Sequence, residues 1–504
     1  MKNKIIIFSA ILLTFLIWIP YIFPYFSNVD EPAYFLNALS VFKGNVLYRD
    51  VFENKGPIMT LICLFFIKIS PENYTFLFHL TLFLLLFIES ILIYKVLVKL
   101  KLKNLAIYGF FYPVFLSLFY PGNMTIGGEP FISFLLLIIF YIFLLFPNKI
   151  IPIFVIGLLS GIIVLFKPFG IFLILLLIFL IYYKSKSIKK ISLFVFASIV
   201  PLLFFLLYIF KYHIFHDFLL WAIKYPVFLS RTVPTLKECY FIFPMLGRIF
   251  LLIPFFTVFG IYEIIKKNKN REEIYIILFL IFTALWGALH GLPFPHHYRL
   301  LFPFLFIISL IGYFNIVFSQ KFQLKNILNI FIIFSILQGF FYWNGIDFYK
   351  KWIEFLSEKK WTKEYEIKSN SEILEFLNKN TSPEDKIVIW GHNPKLYLLS
   401  KRDPGTKFKA WFDPVIGIVF YDIHKIQQFP NAEELFIFDI KRNNPKYFID
   451  ATKCSSIGIP YYSVDKYYKI YEFLLNNYKR IKELNGYVIY QNKKNVCNMW
   501  NNKK

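Results

Sequence analysis

Asn28-Val29-Asp30-Glu31-Pro32, continued by Tyr48-Arg49-Asp50 and Glu53-Asn54-Lys55-Gly56-Pro57, decides how this chain is read. The two adjacent carboxylates follow directly on a long apolar run, 5–25. In a soluble loop such acids are ordinary, but here they stand where the chain leaves a membrane. An acidic pair at a bilayer edge, with a lysine in the same loop, is a functional hypothesis by default because unpaired charge there is costly.

Composition supports the membrane setting. The chain has 504 residues, 58% hydrophobic and 21% aromatic, with 65 Phe and only 17% charged residues. An ordinary soluble protein carries about 25% charge. The net charge of +24 does not point to nucleic acid. The lysines sit in short loops between apolar runs, where they set topology by favouring the cytoplasmic side.

Apolar runs at 5–25, 74–98, 105–120, 130–146, 150–166, 169–183, 191–210, 244–265, 274–289, 300–318 and 327–343 predict a polytopic α-helical protein of about 11 spans. With the N-terminus inside, Lys99/Lys101/Lys103, Lys149, Lys184/Lys186/Lys189/Lys190, Lys266/Lys267/Lys269/Arg271 and Lys321/Lys325 all face the cytoplasm. The same parity rejects 58–69 as a span. Its 12 residues rise only about 18 Å, so it is expected as an interfacial or re-entrant helix. The first run lacks a small-x-small cleavage site and is expected to be retained as a span.

One face, extracytoplasmic under this parity, then gathers the 26–73 loop, the 122–130 turn ending in Glu129-Pro130, Lys167-Pro168, and Pro295-His296-His297-Tyr298-Arg299. The domains expected are 1–345, transmembrane, and 346–504, a small extracytoplasmic α/β domain. In the latter, 371–377 has a helical apolar face and 386–390 reads as a strand. Cys454 and Cys497 are a candidate disulfide pair in an oxidising compartment. There is no Walker A loop, dinucleotide fingerprint, His-Glu-x-x-His or Cys-x-x-Cys, which removes support for ATP, NAD or zincin chemistry.

The acids suit transfer chemistry: Asp30 or Glu31 as general base, with Lys55, Lys167 and Arg299 as cations for a phosphate leaving group. Glu129 adds a carboxylate at the membrane boundary, and Asp50 and Glu53 are placed for sugar hydroxyls or a cation. Each has a structural alternative. Glu129-Pro130 is also a good helix start, and Lys167 can snorkel. Adjacent histidines seldom face the same way, which counts against a metal pair at His296 and His297. No cofactor is assigned, and a divalent cation stays open, with Glu53 and His296 as the candidate ligands.

These motifs resemble the GT-C fold glycosyltransferases, in particular the protein mannosyltransferase and aminoarabinose transferase group. The resemblance rests on Asp30-Glu31, Tyr34 with Asn37-Ala38, Gly44, Tyr48-Arg49-Asp50, Lys55-Gly56-Pro57, Glu129, Gly157/Gly161 leading to Lys167-Pro168, and His297-Tyr298-Arg299. It implies a membrane enzyme that moves a sugar from a polyprenyl-phosphate carrier to an extracytoplasmic glycolipid, envelope glycan or protein, with inversion. Asp30 would be the base; Lys55 and Arg299, with Lys167, His297 and Tyr48, would lie near carrier or substrate. The inner (plasma) membrane is the expected location. A lipid-linked sugar flippase, or an envelope polysaccharide polymerase or ligase, is the competing reading.

Overall fold

The computed structural model describes residues 2–23, 25–26, 30–117, 127–231, 252–267, 271–289, 295–319, 352–353, 356, 362–409, 413–417, 428–454 and 463–494. The expected span 327–343, most of the 122–130 turn, Lys321, Lys325 and Cys497 lie outside these residues, and with Cys497 the candidate disulfide.

The described chain is mostly helical with one small C-terminal sheet. Helices at Asn3–Tyr21, Tyr74–Lys99, Pro168–Ser185 and Ile188–Tyr212 are long and apolar enough to cross a membrane, and this is a membrane protein. Shorter apolar helices are Ile58–Ile69, Glu129–Leu145, Ile150–Phe166 and Phe302–Ile316. The expected span at 105–120 is not one helix. It is broken into Lys103–Ala106, a 3-10 turn at Ile107–Phe111 and Tyr112–Ser117. Gly109 sits in that turn, where a Cβ would meet the Tyr94 amide nitrogen at 3.0 Å.

The chain forms two compact units. One comprises 1–28, 75–207 and 233–361; the other comprises 29–74, 208–232 and 362–504. The 29–74 segment thus shares a unit with the C-terminal 362–504.

In the helical unit, small residues bring backbones together. A Cβ on Gly157 would meet Phe194 O at 2.5 Å, and one on Gly161 would meet Ser198 O at 2.2 Å. The 150–166 and 188–212 helices therefore touch along a small-x-x-x-small stripe, as is common where lipid supplies no hydrophobic drive. Gly260 and Gly312 do the same for 252–267 and 302–319, their added Cβ atoms meeting Ile308 O at 2.2 Å and Phe256 O at 1.9 Å.

The second unit is built on a five-stranded sheet of order β2-β1-β3-β5-β4, with β1 Lys386–Trp390, β2 Asp403–Pro404, β3 Tyr447–Asp450, β4 Tyr478–Leu484 and β5 Tyr487–Asn492. β1 pairs in parallel with β2 and β3 through helical crossovers, and β5 closes the mixed sheet antiparallel to β3 and β4. Asn485 and Gly486, both at positive φ, make the two-residue hairpin between β4 and β5. Trp390, Phe436, Phe448 and Tyr467 fill the core beneath. The expected helix at 371–377 is present as Ser371–Asn380, with Ile373, Leu374 and Leu377 buried.

Candidate functional site

In the second unit, Asp30 stands at the N-cap of the Glu31–Phe42 helix, whose second residue is Pro32. Proline suits this first turn because its missing N–H would have no intrahelical partner. Glu31 is buried, as are Tyr34 and Asn37 on the following turns. Asn37 Nδ2 donates to Glu53 Oε2 and to Phe52 O, both at 3.2 Å. The Lys55 amide donates to Glu53 Oε1 at 3.1 Å. Lys55 Nζ donates to the Tyr34 hydroxyl and lies 4.8 Å from that ring's centroid. Burial pushes the Glu53 carboxyl above its ordinary range, against the pull of Lys55 and Asn37.

Tyr48 and Asp50 shape this loop. Tyr48 is wholly buried at φ 71°, and its hydroxyl donates to Lys55 O at 2.9 Å. Asp50 accepts from the Val46 amide and from Arg49, each at 3.0 Å. Burial raises its pKa, but those two bonds hold it below the usual carboxylate value. Both side chains thus serve the turn that presents Lys55.

The sequence reading missed Asp413, from the Asp413–Ile416 turn. Burial first, and then the charge of Asp30, push its carboxyl from the ordinary 3.8 to about 6, while Lys55 pulls it down. Asp30, Asp413 and Lys55 are therefore one electrostatic group, drawn from three separate segments.

The helical unit holds a second group. Gly128 lies against the Phe166 ring, where an added Cβ would meet Cδ1 at 2.8 Å. This contact sets the start of the 129–145 helix beside the end of the 150–166 helix. Lys167, extended ahead of Pro168, donates from Nζ to Glu129 Oε1. His297 Nδ1 lies 3.3 Å from the same oxygen and 3.5 Å from Lys167 Nζ. All three are buried, so Lys167 is an ion-paired interior lysine and does not snorkel, while Glu129 both opens its helix and carries the pair.

Contrary to the expectation for adjacent histidines, the tight 3-10 turn Pro295–Tyr298 places the His296 and His297 rings 4.2 Å apart. Ligand atoms of Glu129, His296 and His297 lie within 4.8 Å of one another, a nitrogen and carboxylate set suited to a divalent cation. Lys167 competes for the same Glu129 oxygen. Glu53, by contrast, is engaged by Asn37 and the Lys55 amide.

Arg299 sits elsewhere than on an open phosphate site. It is buried, with Nη2 2.5 Å from Glu89 Oε2 and Nη1 bonded to the Tyr112 hydroxyl at 2.5 Å and Ser133 Oγ at 3.0 Å. Ser133 also donates to Glu89 Oε1 at 2.8 Å. This network ties the 74–99 and 129–145 helices to the turn bearing His297.

No protein-family model and no curated protein matches the chain. Among solved structures it is similar to ArnT from Cupriavidus metallidurans bound to undecaprenyl phosphate, with a TM-score of 0.54, 10% identity and 97% of each chain covered. It is also similar to the Archaeoglobus fulgidus oligosaccharyltransferase AglB, in complex with an inhibitory peptide and a dolichol-phosphate. There the TM-score is 0.51 at 12% identity, over 98% of this chain and 74% of that one. A further structure of the same oligosaccharyltransferase, tethered to an acceptor peptide, gives 0.51 at 12% identity. The fold is the GT-C fold that the sequence motifs resemble.

Proposed function

We propose that this protein transfers a sugar from a polyprenyl-phosphate carrier to an extracytoplasmic hydroxyl acceptor at the plasma membrane, with inversion, from a chain of about 11 spans. Asp30 takes the proton of the acceptor hydroxyl. The resulting oxygen attacks the anomeric carbon opposite the phosphate, the carbon–oxygen bond to phosphate breaks, and the carrier phosphate leaves with the electron pair. Lys55 neutralises the carrier phosphate beside Asp30, and in the helical unit Glu129 with His297 holds Lys167 in place. Arg299 is assigned to framework, because its guanidinium is committed to Glu89.

The observation that carries the reading is the coupled group of Asp30, Asp413 and Lys55 in a chain of GT-C fold. A base and a cation must both be present for this transfer, and Asp413 adds negative charge that keeps a neighbouring carboxylate basic. Asn37 Oδ1, Asn54 Oδ1 and Thr60 Oγ1, on the same stretch of chain, are buried without a protein partner, as suits a surface that meets ligand hydroxyls or water. A flippase would need mobile charges along its spans, whereas Glu89 is locked to Arg299.

Mass spectrometry of surface glycans in a deletion strain tests the reading. Loss of one sugar from one glycan is expected and names donor and acceptor together. The same loss with lipid-linked sugar trapped on the cytoplasmic leaflet would instead support the flippase, and unaltered glycans would contradict the transfer reading.

A further inference from the structure

Residues 403–409 leave β2 and run directly along the loop that carries the acids. Asp439 fixes this strap to the C-terminal domain, accepting from the Lys407 amide at 2.9 Å and the Thr406 hydroxyl at 3.3 Å. The same seven residues hold the first loop at separate points. Lys407 O accepts from the Phe52 amide at 3.1 Å. Asp403 pairs with Lys43 at 2.6 Å, an exposed contact of small energetic value. Phe408 joins Phe52, Trp221, Tyr225 and Phe429 in an aromatic cluster with ring centroids 5.1–5.6 Å apart.

Lys409 is the unusual member. It is buried, and its Nζ donates to Ser40 Oγ near the end of the 31–42 helix. Ser40 also accepts from Asn45 Nδ2 at 3.0 Å, so the hydroxyl is gripped from both sides. A buried lysine costs stability unless its polar end is satisfied. Lys68, Lys43 and the other lysines of this loop remain at least partly exposed.

We propose that the 403–409 strap positions the helix whose first turn carries Asp30 and Glu31, and that Lys409 is its positioning residue. Ser40 lies nine residues after Glu31, about 13.5 Å along the helix. Lys409 thus acts through the helix and touches no reacting atom: it fixes the helix's rotation and advance. The C-terminal domain thereby becomes part of the catalytic apparatus, an inference that rests on the transfer reading above. Misplacement of a catalytic group by about 1 Å can cost a hundredfold in rate.

The test compares full-length wild-type protein in detergent with Lys409→Leu, Lys409→Gln and Ser40→Ala. Amide exchange across 31–42 is expected to rise about tenfold in Lys409→Leu and Ser40→Ala, while β1 and β3 stay protected. Lys409→Gln, which keeps an N–H donor for Ser40, stays within about threefold of wild type. In sugar transfer, Lys409→Leu lowers kcat about tenfold with donor KM within about twofold, and Lys409→Gln restores most of the loss. Unchanged exchange in 31–42 for both Lys409→Leu and Ser40→Ala overturns the proposal, as does an unchanged kcat in Lys409→Leu. A wild-type protein that transfers no sugar from any polyprenyl-phosphate donor overturns the transfer reading, and exchange still decides the strap.

Discussion

Asp413 titrates where its carboxyl faces both burial and the charge of Asp30, and this has consequences in opposite directions for stability and rate. Its folded pKa, about 6, lies above the ordinary 3.8. Its contribution to stability is therefore present below about pH 3.8 and lost as pH rises through 6. Asp413→Asn should raise the melting temperature in detergent at pH 7.5 by a few degrees and leave it unchanged near pH 3.5. The same variant should lower transfer about tenfold at pH 7.5, because a neutral neighbour leaves Asp30 less basic. Wild-type transfer should fall as pH drops through about 6. At Glu89, Glu→Gln strips the buried guanidinium of Arg299 of its counter-ion. A loss of about 3 kcal/mol, read as a lower unfolding midpoint, is expected. The Asp30–Glu31 pair, Lys55 and the Glu129 and Lys167 positions were legible because each is anomalous beside an apolar run. Asp413 and the Arg299–Glu89 pair were not, since their partners lie hundreds of residues away and only the fold brings them together.

Elements were legible where length and pattern agree. The 12-residue helix Ile58–Ile69 is as short as the sequence reading required, and the C-terminal strands β1 and β5 fall where apolar runs meet turn residues. The break at 107–111 was not legible, because a glycine among aromatics reads as an uninterrupted apolar run until its close neighbour is known. The glycine stripe makes the helical unit sensitive to bulk. Gly161→Leu should prevent the 150–166 helix from seating on 188–212, since even a Cβ would approach Ser198 O to 2.2 Å. The expected result is loss of the monodisperse peak in size-exclusion chromatography, with Gly161→Ala an intermediate case. At the C-terminal end of that helix, Lys167→Ala should leave Glu129 with His297 as its remaining partner; a loss of about 3 kcal/mol, read as a lower unfolding midpoint in detergent, is expected.

At the scale of the whole molecule, a GT-C fold spans nearly the full length of both this chain and ArnT at 10% identity. Apolar patterning carries the helical part of such a fold with little sequence in common, whereas the joining of the first loop to the C-terminal domain is a long-range arrangement that no local pattern announces. The central claim is that Asp30 is the base. The Asp30 side chain makes no capping hydrogen bond to its helix and asparagine has nearly the same size and shape, so Asp30→Asn removes the base and keeps the fold. The decisive measurement is turnover of a radiolabelled polyprenyl-phosphate sugar by purified Asp30→Asn, with carrier binding measured alongside. The account predicts a fall in turnover of about a thousandfold with carrier affinity within about twofold of wild type; turnover within tenfold of wild type would contradict it.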